Sequence, residues 1–193
     1  YTLILGEGKT SRDEKRVVEN KKDEIEILNS EIKRANDTIG IKKTFIYNFA
    51  DNRFDSVDLL DIVKVISKVK EEIRPDIIFT HYENDLNIDH KITYQAVITA
   101  TRPMQNESVK EIYSFEILSS TEWNYPLSFS PDTFFDIEDT LDLKISAMKE
   151  YKSELCLYPH PRSIEGIELN AQYQGMRVGK KYVEAFKSVR VIR

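Results

Sequence analysis

Short apolar runs alternate with longer amphipathic stretches through the first half of the chain. Runs rich in β-branched and aromatic residues predict strands at residues 1–5, 43–49 and 76–79. Two longer stretches, ending near Asp37 and near Glu72, carry apolar residues at spacings of mostly three or four, which predicts helices. Strand and helix therefore alternate, and this order indicates right-handed crossovers between parallel strands.

Each predicted helix has an apolar face that can be named. The first is expected to open with a capping box, in which the Ser11 hydroxyl caps the amide of Glu14, and Gly40 is expected to close it. Its apolar face is expected to hold Val18, Ile25, Leu28, Ile32 and Ala35. The face of the second is expected to hold Leu59, Ile62, Val63, Ile66 and Val69, with Pro75 ending the helix.

The second half of the chain changes pattern. A helix is predicted near 87–101, strands at 111–117 and 133–137, a helix near 138–154, another from about 164, and an extended run at 182–192. No internal repeat, linker or low-complexity tract interrupts the chain. We therefore predict one domain over residues 1–193, an α/β fold of three layers around a mainly parallel sheet.

The net charge, the cysteine count and the length of the apolar runs limit the classes of protein to which this chain could belong. The net charge is −5 with Lys and Arg scattered among acids, so nucleic acid is excluded as an expected partner. The single cysteine, Cys156, leaves no internal disulfide and favours a reducing, cytoplasmic compartment. The longest apolar runs are far shorter than the ~20 residues of a transmembrane helix.

Polar residues concentrate in the loops that follow the three predicted strands. Ligands of open parallel sheets bind beyond the carboxyl ends of the strands, and these loops are residues 6–8, 51–53 and 81–90. The third loop holds two of the three histidines of the chain. Its last two residues, Asp89 and His90, suit a divalent metal, because neutral imidazole binds zinc and a nearby carboxylate can orient the ring. The alternative is that Asp89 caps the following helix and His90 packs against the sheet.

The segment 80–90, Thr-His-Tyr-Glu-Asn-Asp-Leu-Asn-Ile-Asp-His, resembles the second signature of the PIG-L/LmbE-like de-N-acetylases. Loops 6–8, 51–53 and 159–163 also match positions where that family has its loops. The resemblance implies a zinc-dependent, Rossmann-like hydrolase that removes an acetyl group from an N-acetylated amino sugar or its conjugate.

The resemblance also implies roles for three residues of the signature. His90 matches the metal-ligating histidine, and Asp89 matches the acid beside it. Asn87 stands where many members carry a histidine that stabilises the transition state. An amide can donate a hydrogen bond to a developing oxyanion but cannot supply a proton, so the general acid stays open between His160 and His81.

Five further residues are expected at the substrate. Arg53 can fork onto a hydroxyl, carboxylate or phosphate, or pair with a neighbouring aspartate instead. The others lie in loops that the resemblance places near the pocket, with a plain turn or surface role as the alternative: Glu7, Asp51, His160 and Arg162.

One departure from the family is an absence. The first signature, His-Pro-Asp-Asp, does not occur in the sequence, although it supplies two further metal ligands and the general base. We expect it one strand and one helix upstream of Tyr1, roughly 30 residues away, so the chain as given should hold one ligand of three and be inactive alone.

Two other classes of function remain in view. A non-catalytic sugar- or nucleotide-binding module could have kept the fold and lost the chemistry. A nucleotide-binding transferase is less favoured, because residues 6–8 lack the spacing of a dinucleotide or P-loop fingerprint. The sequence leaves open which sugar is used and whether the chain forms a homo-oligomer.

Overall fold

The computed structural model describes residues 1–11 and 21–193. The strands in these ranges are β1 (Thr2–Gly6), β2 (Thr44–Phe49), β3 (Ile77–His81), β4 (Glu111–Phe115), β5 (Thr133–Asp136) and β6 (Val183–Val191). The helices are α1 (Lys22–Thr38), α2 (Leu59–Ile73), α3 (Ile88–Ala100), α4 (Leu141–Glu150) and α5 (Ile164–Met176). None of these helices is long and apolar enough to cross a membrane.

The chain divides into two compact units. The first comprises Tyr1–Asp51 and Phe134–Glu184, and the second comprises Asn52–Thr133 and Ala185–Arg193. Each unit therefore joins an early part of the chain to a late part. The prediction of one domain over residues 1–193 stays a prediction.

In the first unit, β1 and β2 pair in parallel from Thr2 opposite Thr44 to Ile4 opposite Ile46. Helix α1 packs against α4, and α4 contacts α5. The predicted apolar face of α1 is confirmed where the structure describes it, since Leu28, Ile32 and Ala35 are buried and Ile25 is half-buried. The rest of that prediction, Val18 and the capping box with Glu14, lies outside the described residues.

In the second unit, β3 and β4 pair in parallel without a register shift, from Ile77 opposite Glu111 to His81 opposite Phe115. Helices α2 and α3 pack together. Four of the five residues predicted on the apolar face of α2 are buried: Ile62, Val63, Ile66 and Val69. The prediction for Leu59 is wrong, because this residue opens the helix and keeps 38% of its surface exposed.

The strand pairings refine the predicted sheet. The α/β class is confirmed, but β1 and β2 form a two-stranded sheet, while the other sheet has the order β3-β4-β6-β5. Strand β6 runs antiparallel to β4, so this second sheet is mixed. The expectation of a mainly parallel sheet therefore describes the pairs β1-β2 and β3-β4 but not the pair β4-β6. The extended run 182–192 was predicted correctly, but a pattern of apolar residues does not specify the direction in which a strand pairs.

Helix α3 carries the candidate site at its amino end and is anchored at its carboxyl end. The Lys70 ammonium donates to the carbonyl of Ala100 at 2.7 Å. The Arg190 guanidinium donates to the carbonyl of Thr101 at 2.6 Å. Positive groups at this end of a helix satisfy its last carbonyls and complement the helix dipole. Both contacts fix the position of α3 within the second unit.

Candidate functional site

Two histidines meet where β3 ends and α3 begins. His81 is the last residue of β3, and His90 lies in the first turn of α3. Their rings stack with centroids 4.3 Å apart and planes inclined by 19°. The loop between the strand and the helix therefore brings together the two histidines of the signature segment.

A fully buried carboxylate lies beside this pair. Asp85 has 0% of its surface exposed and accepts a hydrogen bond from Nδ1 of His90 at 2.9 Å. It also accepts from the amide of Asn87 at 2.8 Å and from the hydroxyls of Ser120 and Thr121. One carboxylate thus collects four donors from the loop, the helix and a distant turn.

These donors decide the charge of Asp85. Burial alone would raise its pKa, but the hydrogen bonds from His90, Ser120, Thr121 and the Asn87 amide outweigh burial and lower the pKa to about 2. The group is therefore ionised at neutral pH and can only accept hydrogen bonds. Nδ1 of His90 must then carry a hydrogen, and in a neutral imidazole this places the lone pair on Nε2.

His81 is held neutral by its surroundings. Burial and the neighbouring His90 together lower its pKa to about 3, although the charge of Asp85 acts in the opposite direction. In the part of the chain that the structure describes, Nδ1 of His81 is buried without a hydrogen-bond partner. The ring therefore contacts His90 as a neutral, stacked neighbour.

Asp89 and Asn87 shape the start of α3. The Asp89 carboxylate, 8% exposed, accepts from the amides of Asn52 at 2.7 Å and Phe54 at 2.9 Å. Asn87 is the N-cap of the helix, since its side-chain oxygen accepts from the Asp89 amide at 2.8 Å. Arg53, predicted to contact substrate, lies exposed in the loop that Asp89 holds.

The described residues do not form a metal-binding cluster. Among residues 1–11 and 21–193 there is no group of three or more histidine, cysteine, aspartate or glutamate side chains that could hold a metal ion. The bond from Nδ1 of His90 to a carboxylate is the arrangement that proteins commonly use to orient an imidazole ligand of a metal.

The first unit holds a second polar cluster, around the predicted residues Glu7 and Asp51. Glu7 is 4% exposed and accepts from the amides of Lys9 at 2.8 Å and Thr10 at 3.2 Å, and from the Thr10 hydroxyl. It also accepts from the Asp51 amide at 3.4 Å. The glutamate therefore braces the loops that follow β1 and β2.

His160 and Arg162 lie together in the same unit. Nδ1 of His160 accepts from the Arg162 amide at 3.1 Å, and the Arg162 guanidinium donates to Glu154 at 3.3 Å. The other carboxylate oxygen of Glu154 accepts from the Lys9 ammonium. Glu154 therefore links Arg162 to Lys9, and no sequence motif indicates this contact.

The sequence reasoning also missed the acid that contacts His90. It assigned that role to Asp89, whereas the structure places Asp85 at Nδ1 of His90. The position of Asp85 inside the signature segment was a usable signal. Ser120 and Thr121 had none, because they lie 35 and 36 residues along the chain from Asp85.

We expect Glu7→Gln to lower stability and to weaken its dependence on acid. The bonds from Thr10, Lys9 and Asp51 outweigh burial and lower the pKa of Glu7. Its contribution is therefore complete above the ordinary glutamate value of about 4.3 and is lost as pH falls through the lowered pKa. Hydrogen bonds to charged groups are typically worth ~1.5–3 kcal/mol, which sets the expected loss at neutral pH.

Urea unfolding at about pH 7 and about pH 3 measures this effect, since the pKa difference makes the wild type lose more stability across that interval than the variant. The matched control is Glu26→Gln, an exposed glutamate in the same unit. Equal acid sensitivity in wild type and Glu7→Gln would contradict the expectation.

Comparisons with known proteins identify the family of this chain and proteins of similar fold. The family model described as PIG-L: GlcNAc-PI de-N-acetylase matches residues 1–101, which is more than half of the chain. A Bacillus cereus protein named as a probable N-acetyl-alpha-D-glucosaminyl L-malate deacetylase 2 is 26% identical over 141 residues. That match covers 72% of this chain and 63% of the relative, so the chain spans less than two thirds of the relative's length.

Solved structures show the same fold. The N,N'-diacetylchitobiose deacetylase from Pyrococcus horikoshii superposes with a TM-score of 0.68 at 20% identity, covering 98% of this chain and 72% of that one. The zinc-inhibited form of the teicoplanin deacetylase Orf2 gives a TM-score of 0.70 at 14% identity, covering 97% and 86%. At these identities the likeness establishes the fold, while the family model covers the signature segment itself. The chain belongs to the PIG-L (GlcNAc-PI de-N-acetylase) family.

Proposed function

We propose that this protein is a metal-dependent N-deacetylase that hydrolyses the acetamide of an N-acetylated amino sugar or its conjugate. Family membership supports the reaction, and the names of the B. cereus relative and of the chitobiose deacetylase support the substrate class. Because one fold can serve many reactions, the proposal rests on the site as well as on the fold.

The observation that carries the proposal is the hydrogen bond between Asp85 and Nδ1 of His90, 2.9 Å long. It leaves Nε2 of His90 as the atom that would hold a zinc ion, and the zinc-inhibited form of the teicoplanin deacetylase supports zinc binding by a protein of this fold. A zinc ion bound there would polarise the acetyl carbonyl and lower the pKa of a bound water.

The remaining roles follow from what the side chains can donate. Asn87 uses its oxygen as the helix cap, so its amide nitrogen remains to donate to a developing oxyanion. Arg53 is exposed and presents the forked donors that suit a hydroxyl, carboxylate or phosphate of the substrate. The Asp89 carboxylate holds the loop that carries Arg53. We propose that Asp89 is also an acid of the active site.

We also propose a role in substrate binding for four residues of the first unit. Glu7 and Asp51 share one hydrogen-bonded loop pair, and His160 and Arg162 share another loop. We propose that these loops present backbone and side-chain donors to the sugar. We also propose that the enzyme is cytoplasmic, because a chain with a single cysteine is typical of a reducing compartment.

The test uses the intact protein with N-acetylglucosamine conjugates as substrates. We expect about one zinc ion per chain, as in a mononuclear catalytic site, and release of acetate and a free amine in equal amounts. Removal of the metal with a chelator should stop amine release, and added zinc should restore it. Binding of the N-acetylated sugar by the metal-loaded protein without any amine release would favour the non-catalytic binding module instead.

A further inference from the structure

We propose that Asp85 is the positioning residue for His90. Its carboxylate, held by the hydroxyls of Ser120 and Thr121, determines which imidazole nitrogen carries the hydrogen and which way the ring faces. The inference rests on the proposed function only for the identity of the group that His90 binds.

The contact with Asp85 determines the tautomer of His90. Oδ1 of Asp85 accepts from Nδ1 of His90 and from the Asn87 amide, and it also accepts the Ser120 hydroxyl. A neutral imidazole has one donor and one acceptor nitrogen. Because an aspartate surrounded by donors can only accept, the hydrogen is fixed on Nδ1 and the lone pair on Nε2.

The Asp85 carboxylate is held rigidly by the turn that contains Ser120 and Thr121. The turn that supplies its two hydroxyls is itself hydrogen-bonded, since Oγ1 of Thr121 accepts from the Ile117 amide at 2.7 Å. The side-chain amide of Asn124 donates to the carbonyl of Asn84 at 2.7 Å, one residue before Asp85. The turn is therefore fastened to the signature loop at more than one point, and Asp85 has little freedom to rotate.

The neighbouring His81 fixes the plane of the His90 ring. His81 stacks on His90 with centroids 4.3 Å apart, so rotation of the His90 ring out of its plane would collide with its neighbour. The hydrogen bond fixes one edge of the imidazole and the stacking fixes its plane. Together they direct Nε2 along one line, which is what pre-organisation of a ligand or a base requires.

Asp85 and His90 differ in burial. The Asp85 side chain keeps 0% of its surface exposed, whereas that of His90 keeps 20%. Burying a carboxylate is unfavourable unless donors satisfy it, and an apolar side chain often serves a purely structural role as well or better. A buried carboxylate behind a partly accessible imidazole is the arrangement that supports a working histidine from its inner edge.

The experiment compares three variants of the intact protein. Asp85→Ala removes the acceptor, while Asp85→Asn keeps an oxygen toward His90 and removes the charge. Glu107→Gln is the matched control, a largely buried carboxylate of the same unit that accepts from the Lys70 ammonium and the Val109 amide and is not part of the proposed site. The ring nitrogens of His90 are observed by ¹⁵N NMR in metal-free protein at about pH 8.5, where an ordinary histidine is neutral. Cobalt affinity is measured separately.

We expect a single Nδ1–H tautomer of His90 in the wild type, in Asp85→Asn and in Glu107→Gln, and a mixture of tautomers in Asp85→Ala. Loss of such an outer partner typically weakens metal binding roughly 10–100-fold, which is the fall in cobalt affinity expected for Asp85→Ala, with a smaller fall for Asp85→Asn. A folded Asp85→Ala variant with the wild-type tautomer and affinity would overturn the proposal.

If Asp85→Ala does not fold, the triple variant Asp85→Leu/Ser120→Ala/Thr121→Val provides the same test, because it removes the acceptor together with the two hydroxyls that would otherwise lose their partner. It should show mixed tautomers and weaker cobalt binding, and wild-type values for both would overturn the proposal. The NMR arm does not depend on metal. Failure of the wild type to bind cobalt would therefore contradict the proposed function while leaving the role of Asp85 to be decided by the tautomer.

Discussion

His90→Ala should abolish metal binding by the intact protein, and amine release should be lost with it. The reason is that His90 is the ligand the proposal assigns to this chain, with Nε2 available because Nδ1 is bonded to Asp85. The loss in zinc affinity should exceed the roughly 10–100-fold that removal of an outer partner typically causes, since the ligand itself is removed. Zinc content per chain after dialysis against micromolar free zinc measures this effect.

The chain offers a matched control for this variant, because it contains only three histidines. His160→Ala removes an imidazole from the first unit, where its Nδ1 accepts a backbone hydrogen bond from Arg162. It should leave the zinc content unchanged, which separates a specific site from weak binding to any exposed imidazole. Undiminished zinc in a folded His90→Ala variant would withdraw the ligand assignment and, with it, the main support for metal-dependent chemistry.

Local pattern was enough to find most elements of this fold. Runs such as Thr44–Phe49 are rich in β-branched and aromatic residues, and the apolar spacing of Ile62, Val63, Ile66 and Val69 is helical, so both follow from short-range chemistry. The pairing of strands does not follow in this way. Whether Val183–Val191 runs parallel or antiparallel to β4 depends on how the chain returns to the sheet, which residues within the strand do not record.

The same division applies to the candidate site. Asn87, Asp89 and His90 could be proposed as site residues because they lie within one signature segment, where a family pattern is visible. The role of Asp85 depends on a loop conformation that turns its carboxylate toward Nδ1 of His90. Its hydroxyl donors come from a turn far along the chain, and their contribution is a property of tertiary structure alone.

Asn87 is the residue at which sequence and structure give different accounts, and substitution there separates them. The structure shows a helix cap, in which the side-chain oxygen accepts from the Asp89 amide at 2.8 Å. The proposal adds that the amide nitrogen donates to the oxyanion of the tetrahedral intermediate. Asn87→Ala should therefore lower stability by ~1 kcal/mol through the lost cap and lower kcat by roughly 10²–10³-fold through the lost donor, with little change in KM.

Asn87→Asp distinguishes the two contributions, because a carboxylate retains the cap and cannot donate. We expect its melting temperature to stay near that of the wild type while kcat falls as in Asn87→Ala. Asn87→His should retain part of the activity and add an ionisation to the pH–rate profile, because imidazole both donates and titrates near neutrality. A lower melting temperature with normal kcat in Asn87→Ala, together with a silent Asn87→Asp, would show that this residue starts the helix carrying His90 and takes no part in the chemistry.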